Sequence, residues 1–154
     1  MKKLSVALFI GIFMISISAN AQTYSTAFGA KFYAGNGSIG GINIKHSLAQ
    51  HTALEGSLLF YSGGVGIEGL YEYQGPINGA AGLQYFVGGG GILGFSSSNH
   101  GGGTSFALRL TGGLDYKFAD APINVALGLD PFFYIAPSTG SQLALGIAFR
   151  YVIK

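Results

Sequence analysis

The chain has 154 residues, of which 27 are Gly, 9% are charged and 49% are hydrophobic, and it contains no Cys. Set against ordinary usage of about 7% Gly and about 25% charged residues, this excludes a typical soluble globule, and an aromatic content of 14% excludes a disordered chain. Without Cys there is no disulfide framework, thiolate zinc site, cysteine nucleophile or acylated-cysteine anchor.

Residues 1–21 carry Lys2 and Lys3, an apolar run from Leu4 to Ile15, and the small-residue pattern Ala19-Asn20-Ala21. That order is a secretory signal peptide, with cleavage expected before Gln22 and a single barrel domain over 22–154. Ser16, Ser18 and Asn20 stop the apolar run short of the roughly 20 residues that a helical anchor needs. Cleavage removes Lys2 and Lys3 and leaves six basic against six acidic residues. The formal charge of +2 therefore belongs to the precursor, and nucleic acid, which requires a clustered basic face, is excluded as a partner.

Beyond Gln22 the apolar residues recur with period two, in segments of about ten residues separated by turn chemistry. Eight strands are predicted, over residues 26–35, 38–47, 53–61, 65–73, 79–95, 104–118, 122–135 and 142–153. Turn residues lie between them, among them Asn36-Gly37, Ser62-Gly63-Gly64, Gln74-Gly75-Pro76-Ile77-Asn78 and Ala119-Asp120-Ala121. In the sixth strand Phe106, Leu108, Leu110, Leu114, Tyr116 and Phe118 alternate with Ser105, Ala107, Arg109, Thr111, Gly113, Asp115 and Lys117. The eighth repeats the pattern, with Leu143, Leu145, Ile147, Phe149, Tyr151 and Ile153 on one face.

One face is large and apolar; the other is small or charged. A soluble sheet would turn many Lys, Glu and Thr side chains to water, whereas a narrow membrane barrel turns its large apolar residues to lipid and fills its interior with small ones. An even number of spanning strands closes without exposed edges. The predicted fold is thus all-β, an eight-stranded antiparallel up-and-down transmembrane β-barrel preceded by a cleaved signal peptide. With a periplasmic N-terminus, the loops at 96–103 and 136–141 face outward as the longest ones. Phe28, Tyr71, Tyr73, Tyr116, Phe118, Phe149 and Tyr151 then form an inner aromatic girdle, and Phe32, Phe60, Phe106 and Phe133 an outer one.

The closing strand, with Phe149, Tyr151 and Ile153 alternating to the chain end, resembles the assembly signal of outer-membrane barrels. Over residues 22–154 the pattern resembles the small eight-stranded class typified by the OmpA transmembrane domain and OmpX. One departure is the ending Ile153-Lys154 where that family usually ends on an aromatic residue. The resemblance implies export through the periplasm to the outer membrane, with outer-membrane lipid and the barrel assembly machinery as partners.

On the inward phase the charges are Lys31, Lys45, Arg109, Lys117 and Arg150 with Glu55, Glu68, Glu72, Asp115 and Asp130. Five meet five, and because unpaired charge in a low-dielectric wall is costly, they are expected to pair across the lumen as a plug rather than line an ion path. Arg109 and Arg150 are expected to be held by carboxylates such as Glu68, Glu72 or Asp130. His46-Ser47 with Glu55, and Ser98-Asn99-His100, offer fragments of a hydrolase or acyltransferase site, but spacing shows neither a triad nor an oxyanion donor. The three His form no metal-binding pattern, and Gly88-Gly89-Gly90-Gly91 lacks the Lys-Ser/Thr of a phosphate loop and is expected to be a bend or bulge. The expectation is a monomeric, non-enzymatic barrel without cofactor or metal, acting in envelope integrity or surface interaction. Its rivals are a lipid-modifying enzyme and a small-solute or ion pore.

Overall fold

The computed structural model describes residues 25–35, 37–100 and 102–153; the expected signal peptide and Lys154 lie outside them. Eight strands follow one another: β1 (Thr26–Gly35), β2 (Gly37–Ala49), β3 (Thr52–Tyr61), β4 (Gly64–Pro76), β5 (Leu83–Ser96), β6 (Gly103–Lys117), β7 (Ile123–Ala136) and β8 (Gly140–Ile153). Each pairs antiparallel with its neighbours in sequence, and β1 pairs with β8, from Thr26 opposite Ile153 to Ala34 opposite Leu145, so the sheet is a closed barrel. Among the described residues, closure leaves no unpaired strand edge.

The alternation read from the sequence maps onto the two faces. Among the described residues, 30 large hydrophobic side chains are exposed on the outside, whereas the buried hydrophobic set has 12 members, half of them Ala. The 14 buried polar or charged residues all point inward. A soluble protein has the reverse distribution; hydrocarbon is the solvent in which this one costs least.

Two differences from the sequence reading concern turns. The ladder extends through Gln74, Gly75 and Pro76, which pair with Phe86, Tyr85 and Gln84, so the fourth connection is residues 77–82, not 74–78. Gly79 and Gly82 hold it with φ of +82° and +78°, backbone that side-chain-bearing residues rarely adopt. The loops at the two ends consequently have similar lengths. The end bearing Thr26 and Ile153 carries residues 50–51, 77–82 and 118–122; among the described residues the opposite end carries 62–63, 97–102, with a short 3₁₀ segment Ser98–His100, and 137–139. Ring pairs gather at the first of these ends, Phe28 with Tyr151 and Tyr116 with Phe118. Exposed Tyr85 joins that belt and Phe95 the opposite one, two members that the sequence reading left out.

The Gly88–Gly91 tract is not a bulge. Its ladder runs without a register shift on both sides, Gly88 opposite Glu72 and Thr111, Gly91 opposite Gly69 and Leu108. What the tract provides is close approach. A Cβ on inward Gly90 would lie 1.9 Å from the carbonyl oxygen of Gly69 and 2.9 Å from Leu70 Cα, both backbone atoms, whereas outward Gly69 has nothing within 4 Å of a Cβ. Gly90→Ala is expected to destabilise the folded barrel by about 1–3 kcal/mol, the usual cost of overpacking. Gly69→Ala is expected to be neutral or to stabilise by up to about 0.5–1 kcal/mol, by removing strand-interior glycine entropy. Reversible urea unfolding in bilayers measures both; equal costs would contradict the inward–outward assignment of β4 and β5.

Candidate functional site

The barrel interior brings together most of the inward charges. Alternation aims Lys31 from β1, Lys45 from β2, Glu55 from β3, Glu68 and Glu72 from β4, Arg109 and Asp115 from β6, Asp130 from β7 and Arg150 from β8 into the lumen, each at 5% exposure or less. Lys117 departs from the expectation. Its ammonium donates to the carbonyls of Phe118 and Ala121, the latter at 2.8 Å, and so ties down the β6–β7 connection at the barrel rim. The reason is position: it is the last residue of β6, where the inward phase opens onto the rim.

Arg109 is the centre of the upper part of the network. One guanidinium nitrogen donates to Glu68 and another to Asp130. Its carbon lies 4.4 Å from the centroid of the Tyr33 ring and 5.3 Å from that of Phe132, and these two rings meet edge to face at 5.5 Å. Glu68 also accepts from Tyr33 Oη at 3.0 and 3.1 Å and from Ser57 Oγ at 3.0 Å, with Lys31 Nζ at 3.9 Å. A planar fork between two carboxylates, with two aromatic rings packed beside it, is a site that arginine fits and lysine does not.

Below it, Glu55 joins two cations, Lys31 and Arg150. Arg150 also donates to Asn43 Oδ1 and, at 3.0 Å, to Asn124 Oδ1, and lies 3.6 Å from Asp115. Lys45 bridges Asp115 at 3.1 Å and Glu72 at 2.8 Å. Among the described residues, Glu72 has Lys45 as its one ion-pair partner, and Gln74 Oε1 and Arg109 Nε have no hydrogen-bond partner. Through shared partners, the chain runs from Asp130 by way of Arg109, Glu68, Lys31, Glu55, Arg150 and Asp115 to Lys45 and Glu72. The space left beside Lys31, Glu55, Thr111 and Arg150 is about 10 Å³, about the least that holds one water.

The partner assignments differ in part from those expected. Arg109 is held by Glu68 and Asp130, but Arg150 is held by Glu55, and Glu72 faces Lys45. Counting charges also overlooked Tyr33, Asn43, Ser57 and Asn124, whose neutral polar atoms supply further directed bonds. Their signal was present, since each sits on the inward phase of its strand, and a search by polarity as well as by charge would have found them.

The acyltransferase fragments are not assembled. His46 is exposed and bonded to Thr26 Oγ1 at 2.9 Å, while Glu55 is buried on the other side of the wall. His51 bonds the Gln74 carbonyl at 3.1 Å and stacks on Tyr73. The side chain of His100 lies outside the described residues, and among these no cluster of His, Asp or Glu could hold a metal ion. Phe149, Tyr151 and Ile153 stand exposed on the outer face of β8, opposite Ala30, Phe28 and Thr26 of β1, where the barrel closes.

Neither a family model nor a curated protein matches the sequence. Solved structures do. The N-terminal β-barrel domain of Pseudomonas aeruginosa OprF superposes with a TM-score of 0.66 at 19% identity, covering 84% of this chain and 98% of that one. Neisserial surface protein A gives a TM-score of 0.59 at 11% identity, covering 84% and 96%. The chain therefore has the fold of the small outer-membrane β-barrels.

Proposed function

We propose that the protein is an integral outer-membrane barrel whose lumen is plugged, and that it acts without enzymatic activity in envelope integrity or surface interaction. The apolar outer face and the likeness to two small outer-membrane barrels support the location. The observation that carries the plug is the unbroken ion-pair network and the single-water void beside it. Ions crossing it would have to displace charges that are already paired and buried across the lumen. Support for a non-enzymatic role comes from His46 and Glu55 lying on opposite faces of the wall.

Planar-bilayer recording tests this reading: the purified barrel is expected to show no unitary conductance steps, and regular steps would favour the pore. Lipid A mass spectra from cells with and without the protein address the enzyme, and are expected to coincide. The end bearing residues 97–102 and 137–139 is proposed to face outward. An epitope inserted at Asn99 is then expected to be detected on intact cells, and one at Asp120 only after permeabilisation; the reverse result would invert the topology.

A further inference from the structure

Above the charge network, at the end bearing residues 97–102 and 137–139, the barrel opens into a cup of about 330 Å³. Its floor is apolar: Phe132, Ile39 and Ile92 pack with Tyr33 and Leu59 into a layer separating the cup from Arg109 and its carboxylates. Its wall is polar but uncharged. Tyr61, Tyr134 and Gln142 line it with the hydroxyls of Ser38, Ser96 and Ser105, and among the described residues no Asp, Glu, Lys or Arg borders it. Tyr134 Oη donates to Gln142 Oε1 at 3.1 Å, leaving the amide nitrogen of Gln142 as a donor, and Tyr134 stacks on Phe132. Tyr61 Oη is bonded to the Val65 carbonyl at 3.1 Å. A Cβ on Gly94 would fall 2.6 Å from Tyr61 Oη and 2.4 Å from Ser105 Oγ, so the missing side chain at Gly94 is what lets these two groups lie across the cup.

The volume falls in the range of small-molecule sites, about 300–1,000 Å³, and matches that of about ten waters. An ionic ligand would lose its hydration and meet no counter-charge; an alkyl chain would desolvate the hydroxyls and the amide without replacing their bonds. A ligand with one flat apolar face and several neutral hydroxyls satisfies both the rings and the polar wall. Tyr supplies such a surface with few rotamers to immobilise. From this we infer that the cup binds an uncharged pyranose, either as a free sugar or as the terminal residue of a surface glycan. The inference goes beyond the plugged-barrel reading and stands on the cup alone, so conductance can overturn that reading while binding here is unaffected.

The test is NMR titration of the folded full-length mature barrel in nanodiscs, with resonances of Tyr61, Tyr134 and Gln142 as reporters. Methyl glucoside and methyl galactoside are expected to give saturable shifts at these three residues, whereas glucosamine and glucuronic acid bind at least tenfold more weakly. Gln142→Leu, and separately Gly94→Val, which fills the space under Tyr61, are expected to weaken pyranose binding at least tenfold. Both variants are first shown to keep the heat-modifiable electrophoretic mobility of a folded barrel. A linear oligosaccharide binding more tightly than the monosaccharide identifies a glycan end; the opposite order identifies a free sugar. Absence of saturable shifts with neutral pyranoses, equal binding of the charged sugars, or unchanged binding in both folded variants overturns the proposal.

Discussion

Arg109→Met is expected to destabilise the barrel by about 3–5 kcal/mol, because it strips the cation from two buried carboxylates at once. Glu68 keeps Tyr33, Ser57 and the more distant Lys31, but Asp130 has Arg109 as its one ion-pair partner among the described residues. The uncompensated charge, not the lost attraction alone, sets the size of the effect. Adding Asp130→Asn to Arg109→Met is therefore expected to recover a substantial part of the loss, since replacing both members of a buried pair can be nearly neutral. Arg109→Lys is expected to fall short of wild type, because an ammonium lacks the planar fork that reaches Glu68 and Asp130 together and stacks on Tyr33. Urea unfolding in bilayers provides the three numbers. An Arg109→Met barrel as stable as wild type would mean that water already solvates these carboxylates and that the lumen is open.

Leu110→Arg is expected to cost about 2–4 kcal/mol in the same assay, and Phe118→Arg only about 0–1 kcal/mol. Both side chains are exposed on the outer face, but Leu110 lies near the middle of β6 and Phe118 just beyond its end, in contact with Tyr116. The difference isolates depth in hydrocarbon, because a charge at mid-wall has no water within reach whereas one at the rim does. In detergent micelles, which are thinner and more deformable, the gap between the two variants is expected to shrink. Equal costs in bilayers would refute the assignment of the apolar face to lipid.

The eight strands and their facing were legible because alternation is local: each residue's side is decided by its neighbour's side. Phe149 and Arg150 diverge by simple parity, and nothing distant alters that. Strand ends were less legible at 74–83, where Gly75 and Pro76 carry turn propensity yet pair in the ladder, β4 and β5 continuing together to the rim. The glycine tract was misread for a related reason. Its purpose is the approach of the Gly69 and Tyr71 carbonyls on the neighbouring strand, a property of sheet curvature and not of the tract itself.

By itself, then, the sequence determined that the chain would alternate into an even set of spanning strands, which side chains would face inward, and that those would include nearly balanced charge. Only the closed tertiary structure decided who meets whom. Glu55 and Arg150 are 95 positions apart, Lys45 and Asp115 are 70 apart, and their heights in the lumen depend on how far each strand is offset from the next around the whole circumference. That offset accumulates over eight ladders before β8 returns to β1, so no single segment encodes it. The same closure decided that Lys117 would end at the rim and that the rings of Tyr33 and Phe132 would roof the charges, leaving the uncharged cup above them.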